Sequence, residues 1–218
     1  MPPILKQVLD AFVSVITNPK DFFRNMPKTG GFIEPLTFMV VIGVATGTIQ
    51  AIVALLGLGI AVSIGMAFVS IFLIPILTGI FGFVGAAILY VIWKIMGSQE
   101  SYETAYRCGA YAGAVMPIAA LLGIIPYLGI ILGMSWILYL MVMASVETHG
   151  LEMKLAWIVF GIFFGFFAIT SSCSQYASRK LEDKMGRLQE RIEDMSPEEA
   201  GRAMGEFLKG LDQSSNKK

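Results

Sequence analysis

Three stretches of this chain contain no Asp, Glu, Lys, Arg or His. They run from Pro35 to Trp93, from Cys108 to Val146 and from Leu155 to Ser178, and are 59, 39 and 24 residues long. A bilayer core about 30 Å thick is crossed by about 20 apolar residues in a helix. Every backbone polar group inside that core must find its partner within the protein. The rest of the composition agrees: the chain is 56% hydrophobic and 15% charged, whereas soluble domains are about 25% charged. The runs also lack the polar/apolar alternation of a membrane β-barrel. The expected fold class is all-α, a polytopic transmembrane helical bundle.

The 24-residue run makes one crossing and the 39-residue run two. As helix at 1.5 Å per residue, the longest run would extend about 88 Å. That suits two long, tilted crossings, or three with almost no loops. "LLGLG" at 55–59 is a break, and "PILTG" at 75–79 is a second break or a kink, since membrane helices tolerate Pro and Gly. Five crossings and six both fit. Flanking charge orients the chain: Lys6, Lys20, Arg24 and Lys28 argue for a cytoplasmic N-terminus. Five crossings keep 94–107 and 147–154 on that side but put Arg179, Lys180, Lys184, Arg187 and Arg191 on the other. Six bring the tail inside and move Lys94, Arg107 and Lys154 out. The charge count alone slightly favours six.

Two flanking segments differ in character. In residues 1–20, Ile4, Leu5, Val8, Leu9, Phe12, Val15 and Ile16 recur at helical spacing, which predicts an amphipathic helix too short to span. It lies flat on the membrane or packs on the protein's own crossings, and Asn18-Pro19 ends it. These residues lack the pattern of a cleavable signal peptide. Residues 178–218 read as a charged helical tail. Leu181, Met185, Leu188, Ile192 and Met195 step by four and three. Ser196, Pro197 and Glu199 then signal a second helix start, with Ala200, Met204, Phe207, Leu208 and Leu211 on one face. The tail is a solvated extension or a surface for a protein partner or self-association.

Little in the chain suggests chemistry. There is one His, His149, where a metalloprotease motif needs two, one turn apart, beside a Glu. GxSxG, P-loop and dinucleotide fingerprints do not occur. The expectation is no catalytic residue, no metal and no cofactor; His149 and Glu147 lie in a polar break at a membrane edge, and His149 reads as a solvated loop histidine rather than a ligand or proton relay. A net charge of zero gives no basis for a nucleic-acid partner. Cys108 and Cys173 read as packing residues rather than a disulfide. Coupled transport places ionisable groups inside the membrane, and the three runs hold none. Their polar residues, including Thr46, Thr48, Ser70, Thr78, Ser135 and Ser145, are expected to bond their own or a neighbouring helix. A transporter or channel for a lipid or neutral solute stays open as the alternative function.

Within the 39-residue run, "AYAGAVMPIAALLGIIPYLG" (110–129) holds two prolines and no charge. Pro126 and Gly129 mark a tight turn between two crossings, and Pro117 kinks the first of them. This stretch, followed by Trp136 and "ETHG", and preceded by "NPKDFFRNMPKTGGFIEP" at 18–35, resembles the Yip family, the Ypt-interacting-protein domain. The matching positions are Asn18, Pro19, Phe23, Pro35, Tyr111, Pro117, Pro126, Gly129 and Trp136, over roughly residues 18–170. Ala144 and Ser145 stand where the family commonly has a glycine, and the tail goes beyond the family pattern.

The resemblance implies five crossings with a cytoplasmic N-terminus, adopted here over six. It divides the chain into an interfacial helix (1–20), a Yip-like transmembrane domain (21–177) and the tail (178–218). Eukaryotic members are tied to Rab-type GTPases and to membrane organisation. This compact chain resembles bacterial members, so the GTPase role is not carried over. The expected function is that of a non-catalytic scaffold, adaptor or membrane-organising protein of the bacterial inner membrane, with the lipid bilayer as its first partner. Its functional hairpin is expected at Tyr111, Pro117, Pro126, Gly129 and Trp136.

Overall fold

Pro3 occupies the first turn of helix α1 (Pro3–Thr17), where a missing N–H costs nothing. Pro19 does the same for α2 (Pro19–Asn25), so Asn18-Pro19 both ends one helix and starts the next. The structure, a computed structural model, describes residues 2–58, 64–125, 128–193 and 199. Helices α3 (Ile33–Leu55), α4 (Ile64–Ile95), α5 (Tyr102–Ala112), α6 (Val115–Leu122), α7 (Leu128–Glu147) and α8 (Met153–Glu193) follow. Among the described residues every regular element is helical, as expected.

The longest uncharged run forms two helices. Helix α4 passes through Pro75 without ending, so "PILTG" lies inside a helix. What lies opposite helps to explain this. A Cβ on Gly43 would stand 2.8 Å from the Pro75 Cα, and one on Gly47 2.7 Å from the Ser70 carbonyl oxygen. The two glycines, four residues apart on α3, let its backbone press against α4 at that proline. Close approach through small residues is how membrane helices gain packing where lipid removes the hydrophobic drive.

Four helical stretches among the described residues are long and apolar enough to cross a membrane: Ile33–Leu55, Val69–Ile95, Tyr102–Leu122 and Met153–Ser178. A shorter apolar helix, Ile131–Glu147, accompanies them. Tyr102–Leu122 has the lowest mean hydropathy of the four, 1.2, and is the most buried, at 56%. It packs between other helices, so small residues such as Ala105, Ala110, Ala112 and Ala114 suit it better than large apolar ones. Phe72, Ile76 and Ile80 on α4 are exposed instead, as a lipid-facing surface requires.

Between α5 and α6 the helix breaks at Gly113–Ala114. Pro117 has no N–H to give the Gly113 carbonyl. That oxygen takes the Met116 N–H at 2.9 Å, while Ala114 N–H reaches Tyr111 O at 3.0 Å, so the turn tightens to i→i−3 bonding.

The chain divides into two compact units, Met1–Ile169 and Thr170–Lys218. In the first, the core gathers Phe23, Phe38, Trp93, Cys108, Leu140 and Phe160. Helix α1 buries Val8 and Val15 but leaves Ile4, Leu5, Leu9 and Val13 exposed. One of its edges therefore packs on the protein while an apolar row stays uncovered. In the second unit, Leu181 and Met185 are exposed and Cys173 is free and exposed, so of the two cysteines only Cys108 is a packing residue. Residues Ser196, Pro197, Ala200 and those after them lie outside the described residues, as do Pro126 and Tyr127.

Candidate functional site at the polar end of the bundle

Three segments far apart in sequence converge through their charges. They are residues 18–34, the 93–107 connection and the end of α7. Arg24 Nε donates to Glu147 Oε2 at 2.8 Å, and Lys20 stands 3.9 Å from the same carboxylate. The hydrogen bond to Glu147 and the charge of that carboxylate hold the Arg24 guanidinium above its usual pKa. Beside this pair, Thr148 Oγ1 donates to the Phe23 carbonyl at 2.8 Å, and Phe23 itself is fully buried. These contacts dock α2 on α7. Lys28 Nζ meets Glu100 Oε1 at 2.7 Å, and Thr104 Oγ1 donates to the Lys28 carbonyl at 3.2 Å. Ser101 caps α5 by accepting from Thr104 N–H, which holds Glu103 in its first turn.

Arg107 is the centre of this end. Its side chain is 1% exposed. Nη1 and Nη2 both donate to Glu34 Oε2 at 3.1 Å, and Nη2 also donates to the Gly31 carbonyl at 3.2 Å. Nε lies 3.6 Å from Glu103 Oε1, close enough for charge attraction but without hydrogen-bond geometry. The Glu103 oxygen accepts the Gly31 N–H at 2.6 Å. Gly30, at φ +129°, passes so close that a Cβ there would stand 3.0 Å from Nη2. A buried guanidinium is stable only with partners for its fork, and the 30–34 turn supplies them.

His149 departs from expectation. It is not a solvated loop histidine but is buried, its ring stacked on Trp93 at 4.0 Å between centroids. Nδ1 is 2.7 Å from Ser98 Oγ, and Nε2 has no hydrogen-bond partner. Trp93 Nε1 donates to Ser145 Oγ at 2.8 Å, and Ser145 donates onward to the Met141 carbonyl at 2.7 Å. The cause is local geometry: Gly150, at φ +66°, turns the chain just beyond His149, and Gly97, at φ +102°, does so beside Ser98. Burial lowers the imidazole pKa to about 4, which keeps it neutral.

Between α1, α2 and Tyr111 of α5 opens a groove of about 390 Å³, whose polar lining includes Ser14, Asn18, Asp21, Asn25, Glu34 and Tyr111. Tyr111 is 4% exposed and packs against Phe22 at 5.0 Å and Phe38 at 4.9 Å between ring centroids.

The five hairpin residues are not gathered into one site. Tyr111 lines this groove. Pro117 is buried in α6, where it shapes the break. A Cβ on Gly129 would collide with the backbone of Leu122 and Gly123, so this glycine lets α7 close on α6. Trp136, 41% exposed, borders a separate apolar groove of about 330 Å³ with Ile16, Val115 and Ile118. Pro126 lies outside the described residues. Sequence reasoning passed over Arg107, Glu34 and Trp93. The available signal was position: Glu34 and Arg107 are each the last charge before an uncharged run, where an unpaired charge would be costly.

A sequence model of the Yip1 domain matches residues 13–173, well over half of the chain. The chain belongs to the Yip1 domain family. The match runs from Val13 in α1 into α8, so the ionic end and the polar lining of the groove lie within the Yip1 domain. No curated protein and no solved structure matches the chain significantly. With its apolar helices, this Yip1-domain chain is an integral membrane protein.

Proposed function

We propose that this Yip1-domain chain is a non-catalytic scaffold or membrane-organising module of the bacterial inner membrane. It crosses five times, with α1 along the cytoplasmic interface. The observation that carries the reading is the ionic interlock of residues 18–34 with both the 93–107 connection and the end of α7. Arg24–Glu147, Lys28–Glu100 and Arg107–Glu34 hold these three segments together, which supports five crossings over six. Charges committed to one another in this way build a fixed surface rather than a reactive centre. The exposed row on α1 suits the bilayer interface, and Leu181 and Met185 offer the tail a surface for self-association. In this reading Tyr111, Pro117, Pro126, Gly129 and Trp136 set the shape of the third and fourth crossings.

Transport of a lipid or neutral solute is the weaker alternative. Thr46 and Thr48 donate to carbonyls four residues back at 2.8 Å, Thr78 bonds the Ile74 carbonyl and Ser145 that of Met141. Hydroxyls committed in this way are poor linings for a polar path. Purified protein in liposomes is expected to leave solute leakage and lipid exchange at the level of empty vesicles. Sustained flux of either would replace the scaffold with a transporter.

A further inference from the structure

The groove at the polar end has a one-sided charge. Asn18 Nδ2 donates to Asp21 Oδ2 at 2.6 Å, and Asn25 Nδ2 donates to the Asp21 carbonyl at 2.9 Å. One N–H of each amide is thereby engaged, and each amide keeps its oxygen as an acceptor beside a second N–H. Glu34 receives both Arg107 nitrogens on Oε2 and also accepts from the Tyr111 hydroxyl, so it adds negative charge to the groove wall. The nearby cations are shared out: Arg107 lies between Glu34 and Glu103, one cation for two carboxylates. Arg24 is 2.8 Å from Glu147 but 3.9 Å from Asp21. The lining contains two acids and neither Lys nor Arg. An anion is repelled there, while a compact cation with several N–H donors meets acceptors on more than one side. The Phe22 and Tyr111 rings add aromatic surface that favours a cation over a neutral donor.

Depth and size narrow the ligand. Glu34 and Arg107, the last charges before two apolar runs, place the groove at the level of lipid headgroups. Its volume of about 390 Å³ falls in the range of small-molecule sites.

We propose that this groove binds a primary ammonium group, carried by an ethanolamine lipid headgroup or by a free amine. The assignment deepens the scaffold reading, whose polar end it provides with a ligand. A quaternary ammonium has no N–H to donate, so it is bound at least about tenfold more weakly.

The test uses the full-length protein in nanodiscs of phosphatidylcholine, the same discs with a fraction of phosphatidylethanolamine, and phosphatidylcholine discs with added ethanolamine. Thermal unfolding and hydrogen exchange are read on the wild type. The expected result is a higher Tm and slower exchange within residues 11–27 when phosphatidylethanolamine is present, with its N,N-dimethylated analogue, which keeps a single N–H, less effective. If ethanolamine alone reproduces both effects, the site takes a free amine. Ser14→Phe fills the groove from an exposed position and Asp21→Asn removes a charge while keeping an acceptor, and each should abolish the difference between discs. Equal behaviour in all discs, equal potency of the N,N-dimethylated lipid, or protection outside the groove overturns the proposal, and the wild-type exchange decides even if a variant misfolds. Flux in liposomes would overturn the scaffold reading without altering this result.

Discussion

The guanidinium of Arg107 holds one carboxylate oxygen of Glu34 at 3.1 Å from both terminal nitrogens. In doing so it joins the last charge before the 39-residue uncharged run to the last charge before the 59-residue run. Arg107 is almost wholly buried while the Glu34 side chain is 63% exposed, so the two ends of the pair carry unequal weight. Removing Glu34 leaves Arg107 with Glu103 and the Gly31 carbonyl. Removing Arg107 leaves a hollow and carboxylates with no cation.

Arg107→Ala is accordingly expected to destabilise the protein by about 3 kcal/mol, the scale for breaking a buried ion pair. Glu34→Ala should cost about 1 kcal/mol, nearer the value for an exposed pair. Arg107→Lys should fall closer to Ala than to Arg, because an ammonium cannot reproduce the two-nitrogen contact. Thermal unfolding in mild detergent measures all three. An Arg107→Ala protein as stable as the wild type would mean the pair is incidental.

The approach of α3 to α4 makes a second prediction. Gly43→Ala and Gly47→Ala place a Cβ against the backbone at Pro75 and Ser70, and each should cost about 1–3 kcal/mol through overpacking. At Gly85 a Cβ meets nothing within 4 Å. Gly85→Ala should instead be neutral or stabilising by up to about 1 kcal/mol, the helix-propensity gain. Equal losses at all three positions would show that helix contact is not the cause.

His149 ties stability to pH. Burial lowers its folded pKa to about 4 from an ordinary value of 6.5, so the unfolded chain binds the proton more readily. This contribution to stability is whole above pH 6.5, declines as the pH falls and is exhausted near pH 4, a loss of up to about 3 kcal/mol. His149→Phe, which keeps a ring against Trp93, should flatten that part of the pH profile. An unchanged slope in the variant would assign the dependence to other groups.

Crossing number is open to direct labelling. In a Cys173→Ser background, cysteines at positions 6, 99 and 152 should all react from the cytoplasmic face alone if the chain crosses five times. Reaction of position 99 from outside would rule out five crossings.

For the tail, truncation after Ser178 should leave an inserted protein whose melting matches the full chain, since the first compact unit ends at Ile169. Degradation of the truncated form would show that the tail supports the rest.

The membrane character and the all-helical class were legible in the linear order of residues. A bilayer responds to local composition: twenty apolar residues without charge are driven into helix whatever lies elsewhere in the chain. The Yip resemblance was legible for a similar reason, because its prolines and glycines act on their own backbone. Which charges pair was not legible. Arg107 and Glu34 are 73 residues apart, Arg24 and Glu147 123, and nothing in either neighbourhood encodes the other. The fate of "PILTG" likewise depended on α3, whose glycines bring it close enough to pack on an unbroken α4. His149 belonged to a loop by position, and its place inside the protein was decided by the face of Trp93, presented from another helix. Local sequence sets which segments enter the bilayer, whereas side-chain partners are set by which helices become neighbours, and that follows from the packing of the whole bundle.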